Sequence, residues 1–336
     1  MTSPPATPTA AGQAPRPAPA APHAERPARI ARGVVLALLL VAPFIGLYPV
    51  FMMKALCFAI FACAFNLLIG YTGLLSFGHA AFLGSAAYAT GWLARSAGWS
   101  PELAVLAGTL LAAALGLVIG LIAIRRTGIY FAMVTLAMAQ MVYFVCLQMP
   151  FTGGEDGLQG VPRGALFGLL PLADDRVMYY LVLALFVAVF LFVQRIVHSP
   201  YGQVLKAIRE NEPRAISLGY DVDRYKLLAF VLSTTLAGLA GALKTVVLGF
   251  ATLSDVHWSL SGEVILMTLL GGMGTFTGPV IGAFTIVGLQ NFLADQVGSW
   301  VQVIIGVTFI ACVLAFRQGV VGEAVAWQAR RRRRAG

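Results

Sequence analysis

Hydrophobic residues in this chain come in long runs, not in the alternation of a half-buried strand. An α-helix needs about 20 consecutive apolar residues to cross a bilayer. The candidate spans are 33–48, 52–69, 80–97, 103–124, 128–148, 177–197, 225–248, 260–270, 280–293 and 300–316. The eighth and ninth are short and separated by 271–278, so they read either as two short spans or as one span with a re-entrant piece. The pattern predicts an all-α integral membrane protein of about ten transmembrane helices, broken or re-entrant at its glycine-rich segments.

The polar stretches divide the rest. Residues 1–28 are rich in Pro and Ala with almost no large apolar side chains, which predicts a disordered tail. They do not read as a signal peptide, because the first apolar run begins only near Gly33. A transmembrane domain then covers 29–317, interrupted by two long polar loops, 149–176 and 198–224, and a basic tail covers 318–336. Long polar loops in so compact a membrane chain are where partners bind.

Composition agrees. The 336 residues are 59% hydrophobic and 11% charged, against roughly 25% charged in a soluble domain. Of the fourteen acidic residues only Glu263 falls inside an apolar run, as the cost of a carboxylate at bilayer depth requires. The net charge of +9 comes from basic residues clustered between hydrophobic runs, with no basic-aromatic stripe of the kind that binds nucleic acid. Their distribution sets an orientation. With both termini in the cytoplasm, eighteen of the 23 Lys and Arg lie inside, while Lys54, Arg95, Arg163 and Arg176 lie outside. Lys244, near the outer end of the seventh run, can snorkel to the interface. Cys57, Cys63, Cys146 and Cys312 all sit in apolar runs without paired spacing and read as buried thiols, not as metal ligands.

The loop 198–224 carries the clearest local signals. Ser199-Pro200 ends the preceding span, and 203–209 form a short helix with Val204, Leu205 and Ile208 on one side. Pro213 suits the first turn of a new helix, which Asn211 or Glu212 can cap. Ala215, Ile216 and Leu218 give that helix a small apolar face, and Gly219 is placed to stop it in a left-handed conformation. Such a face is buried either in a groove on a partner protein or on lipid headgroups.

Two membrane segments are rich in glycine. The first, 66–84, holds Asn66, Gly70, Gly73, Ser76, Gly78 and His79; the second, 271–283, holds Gly271, Gly272, Gly274 and Gly278 at a similar spacing, which hints at an internal repeat. Glycine permits close helix approach or unwound backbone, and broken helices line substrate sites in transporters. Asn66, Gly73, Ser76, Gly78, His79, Glu263, Gly271, Gly272 and Gly274 are therefore the candidate translocation pathway, with tight helix packing as the alternative for the glycines.

The strings NLLIGYTGLLSFGHAAF and LLGGMGTFTGPVIGA resemble the two signatures of branched-chain amino acid ABC permeases. Gly128-Ile129-Tyr130-Phe131 and Thr152-Gly153-Gly154 through Pro162 are similar to further stretches of that family. The loop pattern Gly202…Ala207-Ile208-Arg209-Glu210-Asn211-Glu212…Ala215…Leu218-Gly219-Tyr220 resembles its coupling loop. These motifs stand in family order from about Asn66 to Gly288, and the long loop after the fifth span resembles that of the larger, M-type permease subunit.

The resemblance implies a subunit of the bacterial cytoplasmic (inner) membrane, in a heterodimer with a second related permease. Two cytoplasmic ATPases would bind Mg-ATP, so that this chain needs no cofactor, and an extracytoplasmic substrate-binding protein would deliver Leu, Ile or Val. It also implies coupling roles for Gly202, Arg209, Glu210, Glu212, Arg214, Ala215 and Gly219. Closely similar permeases carry urea or short amides, and the sequence leaves that choice open.

Other functions fit less well. A secondary transporter would show ionisable residues along its path, and Glu263 is nearly alone. Ser76 and His79 lack an orienting acid, so an enzymatic dyad does not follow. Lys244-Thr245 lacks the glycine that must precede the lysine of a phosphate-binding loop, because that position is Leu243.

Overall fold

The computed structural model describes residues 48–297 apart from 167 and 169, with isolated positions beyond; of 294, 295 and 297 it describes only the backbone. The tails 1–28 and 318–336 and the runs 33–48 and 300–316 fall almost wholly outside the described residues, and with them the side of each terminus.

The described part is helical. The helices are α1 (Pro49–Thr72), α2 (His79–Arg95), α3 (Pro101–Ala123), α4 (Ile129–Gln148), α5 (Asp175–His198), α6 (Pro200–Glu210), α7 (Glu212–Ser217), α8 (Val222–Leu248), α9 (Trp258–Gly271) and α10 (Gly278–Val297). Five of them, α1, α3, α4, α5 and α8, are long and apolar enough to cross a membrane by length and composition. Helix α2, of 17 residues, and α9, of 14, are shorter, and the eighth and ninth apolar runs are two separate helices. The loop 149–176 holds two short 3-10 turns, the two-residue strand β1 (Leu158–Gln159) and a hairpin of β2 (Ala165–Leu166) with β3 (Leu170–Pro171). Strand β1 pairs antiparallel with β4 (Phe250–Ala251) just after α8.

Helices α1 and α8 form the core. Helix α8 packs on α1, α2 and α3, and α1 also carries α5, α9 and α10 on its other sides. Helix α1 is apolar all round, and almost every side chain from Met52 to Thr72 is buried, as a helix without a polar face must be. The outer helices differ. In α3 the buried positions include Ala104, Gly108, Ala112, Gly116, Gly120 and Ala123, a seam of small residues recurring every third or fourth position, with Pro101 and Ile119 beside it. A Cβ on Gly108 would lie 2.7 Å from the Ala86 carbonyl oxygen, and one on Gly120 would lie 2.8 Å from Leu227 Cδ1. The α3 backbone therefore rests directly on α2 and α8. Its opposite face presents Leu103, Leu106, Leu110, Leu117 and Leu121, and α4 likewise exposes Met133, Met141, Phe144 and Val145. Exposed leucines at this density suit hydrocarbon, not water.

Candidate functional site

Two breaks in the helical path place the polar residues. Helix α1 ends at Gly73, whose φ of 76° lets its N–H reach the Ile69 carbonyl at 3.2 Å. Residues 73–78 then run back along the bundle to start α2. Helix α8 ends in the same way at Gly249, with φ 78° and a 2.9 Å bond to the Thr245 carbonyl. Residues 249–257 then turn back to start α9.

The first break is satisfied by neutral groups. Thr72 Oγ1 accepts from Leu74 N at 3.3 Å, Thr135 Oγ1 from Phe77 N at 3.3 Å, and Ser76 Oγ from Gly78 N at 3.2 Å. Ser261 Oγ, on α9, accepts from Ala80 N at 2.9 Å, so the first turns of the two short helices touch. His79 is fully buried among Phe65, Phe82 and Phe230. Its Nε2 lies 2.9 Å from Ser233 Oγ, which donates to the Ala64 carbonyl at 2.5 Å. The serine hydrogen is thus committed to Ala64, which makes Nε2 the donor and leaves Nδ1 as an unpartnered acceptor. Ser76 and His79 are enclosed in this structure, and the bonds they make are those of backbone capping and packing.

The second glycine-rich segment packs against the first. Asn66 Oδ1 accepts from Gly274 N and Asn66 Nδ2 donates to the Thr275 carbonyl, both at 2.9 Å. A Cβ on Gly70 would lie 2.8 Å from Gly274 N. Gly272 and Gly274 both have positive φ, and Gly271 packs on the Gly278 carbonyl. The shared glycine spacing thus accompanies a direct contact between the two segments.

The loop 198–224 is tied to the same place. Arg209, on α6, donates through Nη1 to the Gly70 carbonyl. Lys206 lies over the Tyr71 ring at 5.9 Å, Tyr71 meets Phe276 at 6.1 Å, and Phe276 stacks on His198 at 5.0 Å. Asn66, Gly70, Gly73, Gly274 and Arg209 therefore form one contact cluster at the loop end of the bundle. Glu263 lies apart from it, on α9, and accepts from Gln290 Nε2 at 3.1 Å.

Within the loop the implied coupling residues fall into two groups. Gly202, Arg209, Glu212 and Ala215 are held by contacts within the structure: Gly202 and Ala215 are buried, Glu212 is half-buried, and Arg209 is exposed but bonded to Gly70. Gly202 sits on the carbonyls of Ile196 and Val197 at the corner from α5 to α6. Glu212 pairs with the buried Lys226 at 2.6 Å. Ala215 packs with Ile208 and Val222. Tyr201 donates to the Tyr225 carbonyl at 2.9 Å, and burial together with the neighbouring Tyr225 pushes its phenol above the usual range, which keeps it a donor. Glu210, Arg214 and Gly219 face outward. Asn211 caps α7 by accepting from Arg214 N at 3.1 Å. Gly219, at φ 86°, closes it with the paired bonds Tyr220 N to Ala215 O at 3.2 Å and Gly219 N to Ile216 O at 2.9 Å. The apolar face expected of 215–218 is split: Ala215 is buried, while Ile216 is 58% and Leu218 70% exposed.

One buried contact has no counterpart in the sequence pattern. Asp255 reads as a loop residue and Lys244 as a snorkelling one, yet they form an ion pair with both side chains under a tenth exposed. The turn after Gly249 brings Asp255 back against α8, where its other oxygen accepts from Thr252 N at 3.2 Å. A lysine inside a long apolar helix is the signal that could have found the pair.

The model of the branched-chain amino acid transport system permease component matches residues 50–313. The chain belongs to this permease family. The high-affinity branched-chain amino acid transport permease LivM of Escherichia coli is 30% identical over 261 residues, 71% of this chain and 61% of the relative. A probable LivM of Methanocaldococcus jannaschii is 27% identical over 217 residues, 60% of this chain and 59% of the relative. The autoinducer 2 import permease LsrC of Klebsiella pneumoniae is 31% identical over 154 residues, covering 43% of this chain and 42% of its own length. The chain thus spans about three fifths of the LivM relatives. No solved structure matches significantly. These relatives are named as transport permeases, and the family match covers both glycine-rich segments and the loop 198–224.

Proposed function

We propose that this chain is the membrane-spanning permease subunit of an ATP-driven importer of branched-chain amino acids in the bacterial inner membrane. It crosses the membrane about ten times with both termini in the cytoplasm. It pairs with a second, related permease, docks two ATPases that bind Mg-ATP, and receives Leu, Ile or Val from an extracytoplasmic binding protein. The chain itself performs no covalent chemistry. The LivM match supports the cargo, since it covers more of the chain than the match to the permease named for autoinducer 2.

One observation carries the mechanism: α7 presents Ile216 and Leu218 outward while the adjoining α6 is bonded through Arg209 to the glycine-rich cluster. Helix α7 is the coupling helix, and its exposed apolar pair enters a cleft on the ATPase. Closure of the ATPases displaces α7, and α6 carries the displacement to Gly70, Gly274 and the start of α2. That motion alternates the cavity between outward- and inward-facing states. Asn66, Gly73, Ser76, Gly78, His79, Gly271, Gly272 and Gly274 act as the articulated part of the pathway, and Glu263 as a group on its wall.

The test is co-purification from detergent-solubilised membranes. Wild type is expected to bring down the ATPase, and the double variant Ile216→Asp/Leu218→Asp to lose it while remaining monodisperse. ATPase recovery unchanged in that variant overturns the docking role.

A further inference from the structure

A small pocket opens at the end of the bundle remote from the loop 198–224. Helix α8 starts beside that loop, and its 27 residues carry the chain roughly 40 Å, so the turn 249–257 lies at the opposite end. There Tyr143 of α4, Leu253, Ser254 and His257 of the turn, and Ser259 of α9 line a pocket of about 260 Å³. Sites for drug-sized ligands run to roughly 300–1,000 Å³, so this one suits a molecule of single-residue size. Ser254 and Ser259 are exposed, and the pocket opens between them to the surface.

The pocket offers hydrogen-bond donors beside apolar surface. His257 caps α9 through Nδ1, which accepts from Ser259 N at 3.3 Å. The ring hydrogen therefore sits on Nε2, where no acceptor meets it among the described residues. The Tyr143 ring meets the His257 ring edge to face at 5.4 Å, and its hydroxyl has no hydrogen-bond partner among the described residues. Leu253 and Tyr143 pack on the same apolar cluster and give the pocket its apolar wall. Asp255, between Ser254 and Val256, is turned inward onto Lys244, so it does not repel an anion here. Two donors beside aromatic and aliphatic surface complement a carboxylate on an apolar body. Helix α4 also carries a polar group further in. Gln140 lies one turn from Tyr143, near the middle of the helix, half-buried and without a hydrogen-bond partner among the described residues. An amide unpaired in hydrocarbon is costly, so this side of α4 meets water or protein, whereas the leucines of α3 suit lipid.

We propose that this pocket is an outer entry site for an apolar α-amino acid. His257 Nε2 and the Tyr143 hydroxyl donate to its carboxylate, and Leu253 and the Tyr143 ring lie beside its side chain. Its ammonium stays in water at the open mouth, and the Gln140 amide is the next polar contact inward. The Lys244–Asp255 pair holds the turn, and with it His257, in place. The proposal rests on the amino-acid cargo and the orientation argued above.

The test uses the assembled transporter in right-side-out membrane vesicles. Ser254→Cys places a thiol at the pocket mouth, with Cys312→Ser as background; Cys57, Cys63 and Cys146 are buried. A membrane-impermeant maleimide is expected to label that thiol from outside, and leucine, without the binding protein, to slow the labelling severalfold. Leucinamide, which lacks the carboxylate, is expected to protect at least about tenfold more weakly, the size of one charge-assisted hydrogen bond. Tyr143→Phe keeps the ring, and His257→Asn keeps a cap for α9. Each is expected to bring leucine down towards the leucinamide level and to leave leucinamide unchanged, a separation that a merely structural role would not produce. A thiol that does not label from outside overturns the outer location. Equal protection by leucine and leucinamide overturns the carboxylate contacts, and protection by the binding protein alone gives the pocket to that protein and overturns the amino-acid site. Labelling that leucine leaves unchanged, in vesicles whose wild-type transporter imports leucine once the binding protein is added, overturns the site and leaves the importer standing. Wild type that imports no leucine overturns the importer reading itself.

Discussion

The two breaks in the helical path solve one problem with different chemistry. Each begins at a glycine with positive φ, Gly73 after α1 and Gly249 after α8, and each must satisfy the polar backbone of a chain turning back among helices. The first does so with Thr72, Ser76, Thr135 and Ser261, and with the neutral pair His79–Ser233. The second relies on one buried ion pair, Lys244–Asp255, with the β1–β4 pairing beside it. Many weak neutral bonds can be exchanged one at a time as helices shift, since each contributes about 1 kcal/mol. A buried ion pair cannot be opened without leaving charges stranded. The comparison therefore assigns motion to the first break, which lies beside the loop 198–224, and rigidity to the second.

The largest expected effect tests the rigid side. Asp255→Ala leaves the Lys244 ammonium uncompensated in a site under a tenth exposed, and should cost about 3–5 kcal/mol. Replacing both partners, as Lys244→Met with Asp255→Leu, should return most of that loss. Thermal denaturation of the purified chain in detergent measures both, and equal losses in the single and double variants would break the comparison.

On the neutral side the effects are smaller. Gly78→Val sets a Cβ about 2.8 Å from the Thr135 carbonyl oxygen, so backbone must move, at about 1–3 kcal/mol. Ser233→Ala removes the partner of His79 Nε2 and leaves both ring nitrogens unbonded, with a cost of about 1–3 kcal/mol in the same assay. Gly219→Ala should cost least, about 1 kcal/mol, because its Cβ meets open space and only the positive φ opposes it. Its loss should appear in recovery of the ATPase more than in thermal stability, since α7 ends there and nothing packs on it.

The sequence exposed the two sides unequally. Long apolar runs located the eight helices that the described residues contain between Pro49 and Val297, apart from the pair in the polar loop, because apolar length needs no tertiary information. Asn211, Pro213 and Gly219 also made the loop readable, since capping is decided within a few residues. The small-residue seam of α3 was present in the string but not its direction, which depends on α2 and α8 lying against it. Lys244–Asp255 was hidden because it forms only after the chain turns back at Gly249. The division of the loop was hidden for a similar reason. Glu212 looks like a solvent-facing charge until Lys226 is folded against it, and the exposed Arg209 gives no local sign of its bond to Gly70.

The most direct test of the account is the number of leucine molecules imported per ATP hydrolysed by the reconstituted transporter, compared between wild type and Arg209→Met. Arg209 joins the loop 198–224 to Gly70 and reaches Gly274 without touching α7's exposed face. The variant is expected to keep its ATPase and its ATP hydrolysis while leucine import per ATP falls severalfold. An unchanged ratio would mean that motion of the loop reaches the pathway by another route, and would contradict the assignment of the first break as the moving one.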